Sequence, residues 1–446
     1  MSAHRLLDPI LNQGIRHTNF FEGRLLTGED LRNQQEAHRE HDRRLGRAIG
    51  SGIVEGLEVD LLHDGSDGES PTVRVTKGLA INGLGEIVGL PHSDVILALS
   101  RTIDPPQVEP ADFYACAAPP GFQQLPSGAG VYVLAMSPVA AYKGRAPKSG
   151  LGDNGIAKGC GGKYVREGVR FRLVEFTPWE GSDVSPELHD QFRDLMDTLE
   201  TDTSAGDSML RNLLGYRCLY PRALRGVPDD PFDPFSTNLP GNRIDNGGSF
   251  ICAGLDECDT PLALLFWTVT GVRFVDVWAV RRLTFGPQGG RCGLVPGPAL
   301  SVADAMVHQF QAHVADLLSR HRNPELVRLD EHFRFLPPAG IIPLALSPGP
   351  IGFSQEKFFE EIVHRELAFI TAPQLRALFA ESGAYPPIDV NAKELVWIYF
   401  VRENAWTANT VGPRRVYAVF TSGHMPYYGN ARFELGWWDH ANFGKI

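Results

Sequence analysis

Residues 27–52 place the tightest local constraint on this chain. Thr27 is followed three residues later by Asp30, a capping box in which each side chain reaches the other's backbone N–H. Glu29 and Asp30 face the positive end of the helix dipole. From Gly28 to Ile49 only Gly46 breaks the run of helix-compatible residues. The spacing therefore predicts one helix of roughly 30 Å at ~1.5 Å per residue. Arg43, Arg44 and Arg47 load its last turns, and Gly50-Ser51-Gly52 ends it.

Along this helix Leu31, Gln34, His38, His41, Leu45 and Ala48 recur at alternating three- and four-residue spacing, the seam of a coiled coil. Half of that seam is polar. Such a weak apolar stripe gains little on its own domain. Two readings follow: the helix packs against a second copy or a neighbouring protein, or it is a surface helix with few contacts.

After the helix the period changes to two. Ile53–Val59 reads as a strand, Asp64-Gly65 with Asp67-Gly68 as a loop, and Pro71–Val75 as a second strand. Gly78–Asn82 leads into a glycine turn and Glu86-Ile87-Val88 follows, which together predict a β-meander. Tyr132–Ala135 and Phe171–Phe176 continue the β character around a glycine-rich loop at Lys158–Gly162. Helices are expected at 186–200 and 208–220. The 47 glycines and 33 prolines imply many turns.

Residues 227–248 are rich in Pro, Asp, Asn and Gly and read as a linker. Beyond them, Leu262–Thr270 and Val272–Leu283 form a predicted buried hairpin turning near Gly271. Ser301–Arg320 is an amphipathic helix with Val302, Met306, Phe310 and Val314 along one face. Helices at 355–369 and 372–379 and strands at 395–401 and 415–420 complete the chain. The expected fold class is α+β: a long N-terminal helix, a β-rich meander or sandwich-like domain, then a mixed α+β C-terminal domain. The expected boundaries are 1–50, 51–226, 227–248 (linker) and 249–446.

The net charge of −11 argues against a nucleic-acid or anionic-membrane partner. No run approaches the ~20 apolar residues of a membrane span, and the first residues lack the apolar core of a signal peptide. Six cysteines (Cys116, Cys160, Cys218, Cys252, Cys258 and Cys292) are too sparse for a disulfide scaffold. Synthesis in a reducing cytoplasm is expected.

Enzyme motifs mostly fail. Walker A, G-x-S-x-G and H-E-x-x-H are missing. Gly83–Gly89 falls one residue short of a dinucleotide fingerprint and reads as a hairpin turn. Ser354–Lys357 matches S-x-x-K without its companion elements, so Ser354 is expected to be an N-cap. His38 with His41 lies near Glu36 and Asp42, His308 and His313 are five apart, and Cys252 and Cys258 flank Asp256. Each is an incomplete ligand set, read as solvated histidines and buried free cysteines. Catalytic residues, metal and cofactors are expected to be none. The aromatic pairs Phe20-Phe21, Phe358-Phe359, Tyr427-Tyr428 and Trp437-Trp438 mark core packing, a subunit interface or, for the last two, a glycan site.

Phe21-Glu22-Gly23-Arg24-Leu25-Leu26-Thr27, followed by a helix carrying Gln34-Gln35, resembles the opening of tail-end proteins of phage-tail-like machines. It is similar to the adaptor subunit of type VI secretion baseplates (E-G-x-L-L-[ST]), and more so to proteins of extracellular contractile injection systems. Those carry the same opening, then a G-[IV]-V-x-G-L-x-V strand and a G-x-A-I-[ND]-x-x-G turn, matched here by Gly52–Val59 and Gly78–Gly85. The resemblance covers about 70 residues, under a fifth of the chain. It implies a non-enzymatic baseplate or tail-end adaptor, a homo-oligomer that also binds other tail or baseplate proteins. The particle would be released or act extracellularly.

The candidate interface comprises Phe20, Phe21, Leu25, Leu26, Leu31, Gln34, His38, His41 and Leu45. An alternative is a carbohydrate- or surface-binding module using Tyr427, Tyr428, Trp437 and Trp438. A third is a hydrolase without a recognisable motif.

Overall fold

A computed structural model describes residues 14–99, 130–147, 160–177, 186–199, 204–219, 255–284, 297–345, 351–360, 362, 368–382, 385–402, 416–425 and 427. The fold is α+β. Helix α1 (Gly28–Ile49) carries the expected capping box: the Asp30 N–H donates to Thr27 Oγ1 at 3.1 Å, and the Thr27 N–H donates to Asp30 Oδ2 at 3.0 Å. In its last turns Glu40 accepts from Arg44 and Arg47, each at 3.0 Å. The Arg44 hydrogen bond holds the Glu40 carboxyl below the usual carboxylate range.

Residues 53–59 do not form one strand. Strand β1 (Gly52–Gly56) stops where Gly56 and Leu57 both take positive φ, 59° and 56°. Strand β2 (Val59–His63) then enters a different sheet. A Cβ on Gly56 would lie 1.9 Å from the Lys77 carbonyl oxygen, so only glycine permits the approach. Buried Arg281 braces the break, donating to the Gly56 carbonyl at 2.7 Å and the Leu57 carbonyl at 3.3 Å.

Strands β3 (Thr72–Val75), β4 (Gly78–Ile81), β5 (Ile87–Leu90) and β6 (Val95–Ala98) complete two three-stranded antiparallel sheets, ordered β1-β4-β5 and β2-β3-β6. The pairing is nested rather than sequential, which corrects the expected meander. The turn of direction at Gly56-Leu57 is what sends β2 to β3 and leaves β1 for β4.

Strands β7 (Gly130–Pro147) and β8 (Cys160–Glu175) form a long hairpin, and β8 begins inside the segment read as a glycine-rich loop. With β9 (Thr260–Thr268) and β10 (Gly271–Asp276) they make a sheet ordered β10-β9-β7-β8. Side chains of a strand alternate between faces. Val131, Val133, Leu264 and Phe266 face α2 (Pro186–Leu199) and α3 (Ser204–Leu219), meeting Phe192, Leu210 and Leu214. Tyr132, Leu134, Met136 and Leu265 face the smaller sheets, meeting Ile53, Val73 and Ala80. The result is three layers.

The expected division into halves placed residues 260–276 with the later part of the chain. Strand β9 instead pairs with β7 from Gly130 to Met136. Residues from both sides of 227–248, a segment outside the described residues, thus complete one sheet. A proline-rich composition reports only local backbone freedom and is blind to non-local pairing.

Helix α4 (Gly297–Arg320) turns Phe310 and Val314 onto a second core. The remaining elements are β11 (Phe335–Leu336), β12 (Ala339–Pro343), α5 (Gln355–Phe358), β13 (Ala368–Phe369), α6 (Ala372–Ser382), β14 (Ile388–Asp389), β15 (Val396–Arg402) and β16 (Val416–Ser422). Strands β11 and β14 pair with each other, and a second four-stranded sheet runs β12-β16-β15-β13. The long helix expected at 355–369 is a single turn. Phe358 and Phe359 are both 1% exposed, and neighbouring positions of a long helix point about 100° apart, so burying both is served by ending the helix between them. Ser354 is at the N-cap but its side chain makes no capping bond.

Cys160 and Cys218 are not in disulfides, whereas Cys258 is disulfide-bonded to a partner outside the described residues. The reading of Cys258 as a free buried thiol is corrected accordingly, because sequence spacing did not show what lies beside it. Among the described residues no helix is long and apolar enough to cross a membrane.

Candidate subunit interface

Helix α1 meets its own chain along a narrow line. A Cβ on Gly46 would lie 2.0 Å from the Gly85 carbonyl oxygen, and one on Gly85 (φ 83°) would lie 2.1 Å from the Arg43 carbonyl oxygen. The two backbones therefore touch directly. Arg43 grips the same turn, donating to Glu86 Oε1 from Nε at 3.0 Å and Nη2 at 2.7 Å. Burial opposes the Arg43 charge, but the hydrogen bond and charge of Glu86 outweigh it and raise its pKa. Arg39 reaches Glu167 on β8 at 2.9 Å, and Ala37, two residues away and so on another side of the helix, is also buried.

The seam read from the sequence is not on this line. Leu31 (53% exposed), Leu45 (64%), His38, His41 and Ala48 point outward. Gln34 is half-buried, with its Nε2 3.0 Å from His38 Nε2.

The arm ahead of α1 is fixed, although its apolar side chains are not covered. Thr18 Oγ1 donates to the Asp30 carbonyl at 2.9 Å, and Arg24 donates to the Asn19 carbonyl at 2.6 Å and to Asp30 Oδ1 at 2.5 Å. The Thr27 N–H, its hydroxyl and Arg24 hold the Asp30 carboxyl below the usual range. Phe20, Phe21, Leu25 and Leu26 nonetheless stand exposed, Leu25 at 91%. Among the described residues, seven of the fifteen exposed large hydrophobic side chains lie between Phe20 and Ile49. Single exposed apolar residues are ordinary, whereas a concentration on one element marks a contact surface.

The C-terminal aromatic patch is accessible only at Tyr427, since Tyr428, Trp437 and Trp438 lie outside the described residues. Tyr427 stacks 5.6 Å from Tyr399 and 4.8 Å from Trp397, so its ring serves core packing.

Two further clusters were missed from sequence. His63, Asp67 and Glu69 bring potential ligand atoms within 4.8 Å of one another. Asp64 and Asp67 also accept from the N–H groups of Ser66 and Glu69, the ordinary Asx turns that close such a loop. Ser208 Oγ lies 2.7 Å from His313 Nε2, across 105 residues of sequence, a separation that carries no spacing signal. Both are buried, and among the described residues His313 Nδ1 has no hydrogen-bond partner where a catalytic triad sets its orienting carboxylate. His308, expected off the His313 face, stacks instead on Trp278 at 4.4 Å.

Burial, followed by Arg211, pushes the His313 pKa well down; burial, with His321 beside it, lowers His332 from 6.5 to about 4. In each case the unfolded chain takes up the proton first. The stability they contribute is therefore complete above pH 6.5 and is lost as the pH falls towards 4. His332 alone is expected to cost about 2 kcal/mol between pH 7.5 and 5. Denaturant midpoints of wild type and His332→Leu across that range check this: the variant's pH slope should be shallower, and an identical slope would refute it.

No protein-family model and no curated protein sequence matches the chain.

Proposed function

We propose that this chain is a non-enzymatic structural adaptor of a contractile injection system or phage-like tail, at the baseplate or tail end. It works by joining copies of itself and other tail proteins through the N-terminal arm and the outward face of α1. The observation that carries this reading is the row of exposed apolar side chains, Phe20, Phe21, Leu25, Leu26, Leu31 and Leu45, on a hydrogen-bonded arm and a docked helix. A surface already ordered before binding loses little conformational freedom on association.

The choice of particle is supported by how the resembling segments lie together. Helix α1 rests on the Gly85 turn, and β1 pairs with β4, so all four segments form one unit. The test is a variant carrying Phe21→Ser, Leu25→Ser, Leu31→Ser and Leu45→Ser. These side chains are exposed, so the melting temperature should stay within a few degrees of wild type. Self-association in sedimentation velocity should weaken about a thousandfold, at roughly 1 kcal/mol for each of the four apolar anchors. A wild-type chain that is monomeric at all concentrations, and unaltered by the substitutions in pull-downs with tail proteins, would contradict the proposal.

A further inference from the structure

Two turns connect α1 by contact to the four-stranded sheet of β7–β10. The first, residues 82–86 between β4 and β5, closes on itself. The Gly85 N–H donates to the Asn82 carbonyl at 3.0 Å, and the Glu86 N–H donates to Asn82 Oδ1 at 2.8 Å. Helix α1 rests on this turn through Gly85 and Glu86.

The same turn touches residues 256–259, which lead into β9. A Cβ on Gly83 would lie 2.9 Å from the Glu257 carbonyl oxygen, so here too backbone meets backbone. Asn82, 2% exposed, donates from Nδ2 to the Cys258 carbonyl at 3.4 Å and to Glu86 Oε2 at 3.2 Å. Glu86 accepts from Arg43 of α1. One line of contacts thus runs from Cys258 through Asn82 and Glu86 to the helix.

The ends of the 256–259 turn are held by the sheet. Asp259 Oδ1 accepts from Ser137 Oγ of β7 at 2.5 Å, and Arg172 of β8 pairs with both Asp256 and Asp259. Its middle, Glu257 and Cys258, carries the contacts to Gly83 and Asn82, and the Cys258 disulfide fastens that middle covalently. Cys258 is buried, but Asp256 and Glu257 beside it are exposed, so the cross-link lies at a surface turn. Of the six cysteines, Cys160 and Cys218 are not in disulfides, which leaves Cys116, Cys252 or Cys292 as the partner.

We infer that this disulfide is a redox latch for the seat of α1. Oxidised, it fixes the middle of the 256–259 turn and with it the 82–86 turn on which the helix rests; reduced, it loosens both. The step is thiol–disulfide exchange with a dithiol. One thiolate of the reductant attacks a sulfur of the disulfide and expels the other cysteine as a thiolate, and the reductant's second thiolate then breaks the mixed disulfide. Two electrons pass to the protein, each cysteine takes up a proton, and the dithiol leaves as its own disulfide. The consequence for assembly rests on the reading of α1 as a subunit surface. On that reading, a chain made where thiols stay reduced gains its firm assembly surface only in oxidising surroundings. The simpler role is a general staple that supports the whole fold.

Hydrogen exchange of the full-length protein, oxidised, reduced with dithiothreitol and reoxidised, separates the two. On reduction the amides of residues 28–49 and 82–86 should exchange about tenfold faster. Strands β15 and β16, which line the other large core, should keep their protection, and reoxidation should restore the slow rates. Cys258→Ser should exchange fast at the same amides with or without dithiothreitol, which places the effect of the reductant at this cysteine.

Unchanged exchange at 28–49 in protein whose mass shows the disulfide reduced would overturn the inference. So would equal acceleration in β15 and β16, the behaviour of a general staple, or a disulfide that the folded protein keeps under the reductant. Sedimentation of the same samples reads the subunit surface separately. Weaker self-association of the reduced protein would support both readings. A loosened α1 with unchanged self-association would instead refute the N-terminal interface and leave the latch standing.

Discussion

Replacing Asp276 with alanine is expected to lower the stability of this protein by about 3–5 kcal/mol, the usual result of stranding a buried charge. Asp276 is 1% exposed at the end of β10. It accepts from Arg211 Nε of α3 at 2.8 Å and from Gln309 Nε2 of α4 at 2.9 Å, and its other oxygen accepts from the Ala279 N–H at 3.1 Å. One carboxylate thus ties two helices and a strand together where the two large cores meet. Arg211 is 6% exposed, and its remaining ion pair, to Asp316, is longer at 3.4 Å. Removal of Asp276 leaves that guanidinium in a low-dielectric site with half its compensation.

Asp276→Asn keeps a hydrogen-bond acceptor and should lose less. Arg211→Met combined with Asp276→Leu should recover part of the loss, because neither partner is then stranded. Denaturant midpoints measure all three. An alanine variant within about 1 kcal/mol of wild type would show that Asp316 suffices to satisfy Arg211.

The second large effect is expected at Gly46. On helix propensity alone Gly46→Ala should stabilise α1 by about 1 kcal/mol. The contact with Gly85 reverses the sign. A Cβ at 2.0 Å from a backbone oxygen cannot be relieved by rotating a side chain, so the helix must lift from the β4–β5 turn. The change should therefore destabilise the docked helix by about 1–3 kcal/mol, and Gly46→Val by more. Hydrogen exchange of residues 28–49 should speed up while β7, β9 and β15 keep their protection. Faster exchange throughout the molecule would mean that α1 supports the whole fold, and slower exchange in α1 would mean that propensity wins.

These two sites show what the sequence could and could not convey. The Thr27–Asp30 box was legible because both partners lie within one turn, so position alone brings them together. The apolar face of α4 was legible for the same reason, with Phe310 and Val314 one helical turn apart in one core and Met306, a turn earlier, buried in a neighbouring cluster with Leu219. The α+β class follows from such local patterns. Gly46 was legible only as a blemish in a helix. Its purpose depends on Gly85, which reaches it through a turn 39 residues later.

The break at Gly56-Leu57 was hidden because alternating side chains continued across it, while the carbonyl that forbids a Cβ there belongs to Lys77. The pairing of β9 with β7 joins residues more than a hundred positions apart. No composition rule reports such a partner. The seam of Leu31, Gln34, His38, His41 and Leu45 marks one face of α1 without showing which face docks inward. Asp276, Arg211 and Ser208 were passed over because buried polar contacts made across the fold leave no spacing in the chain.

Hydroxyl-radical footprinting of the full-length chain, dilute and assembled, reads residue by residue which surface is covered on assembly. Phe20, Phe21, Leu25, Leu31 and Leu45 should lose most of their labelling on assembly, while Leu326 and Ile351, equally apolar and also exposed, keep theirs. Full labelling of the N-terminal set in assembled material, with protection appearing elsewhere, would contradict the assignment of the arm and α1 as the subunit interface.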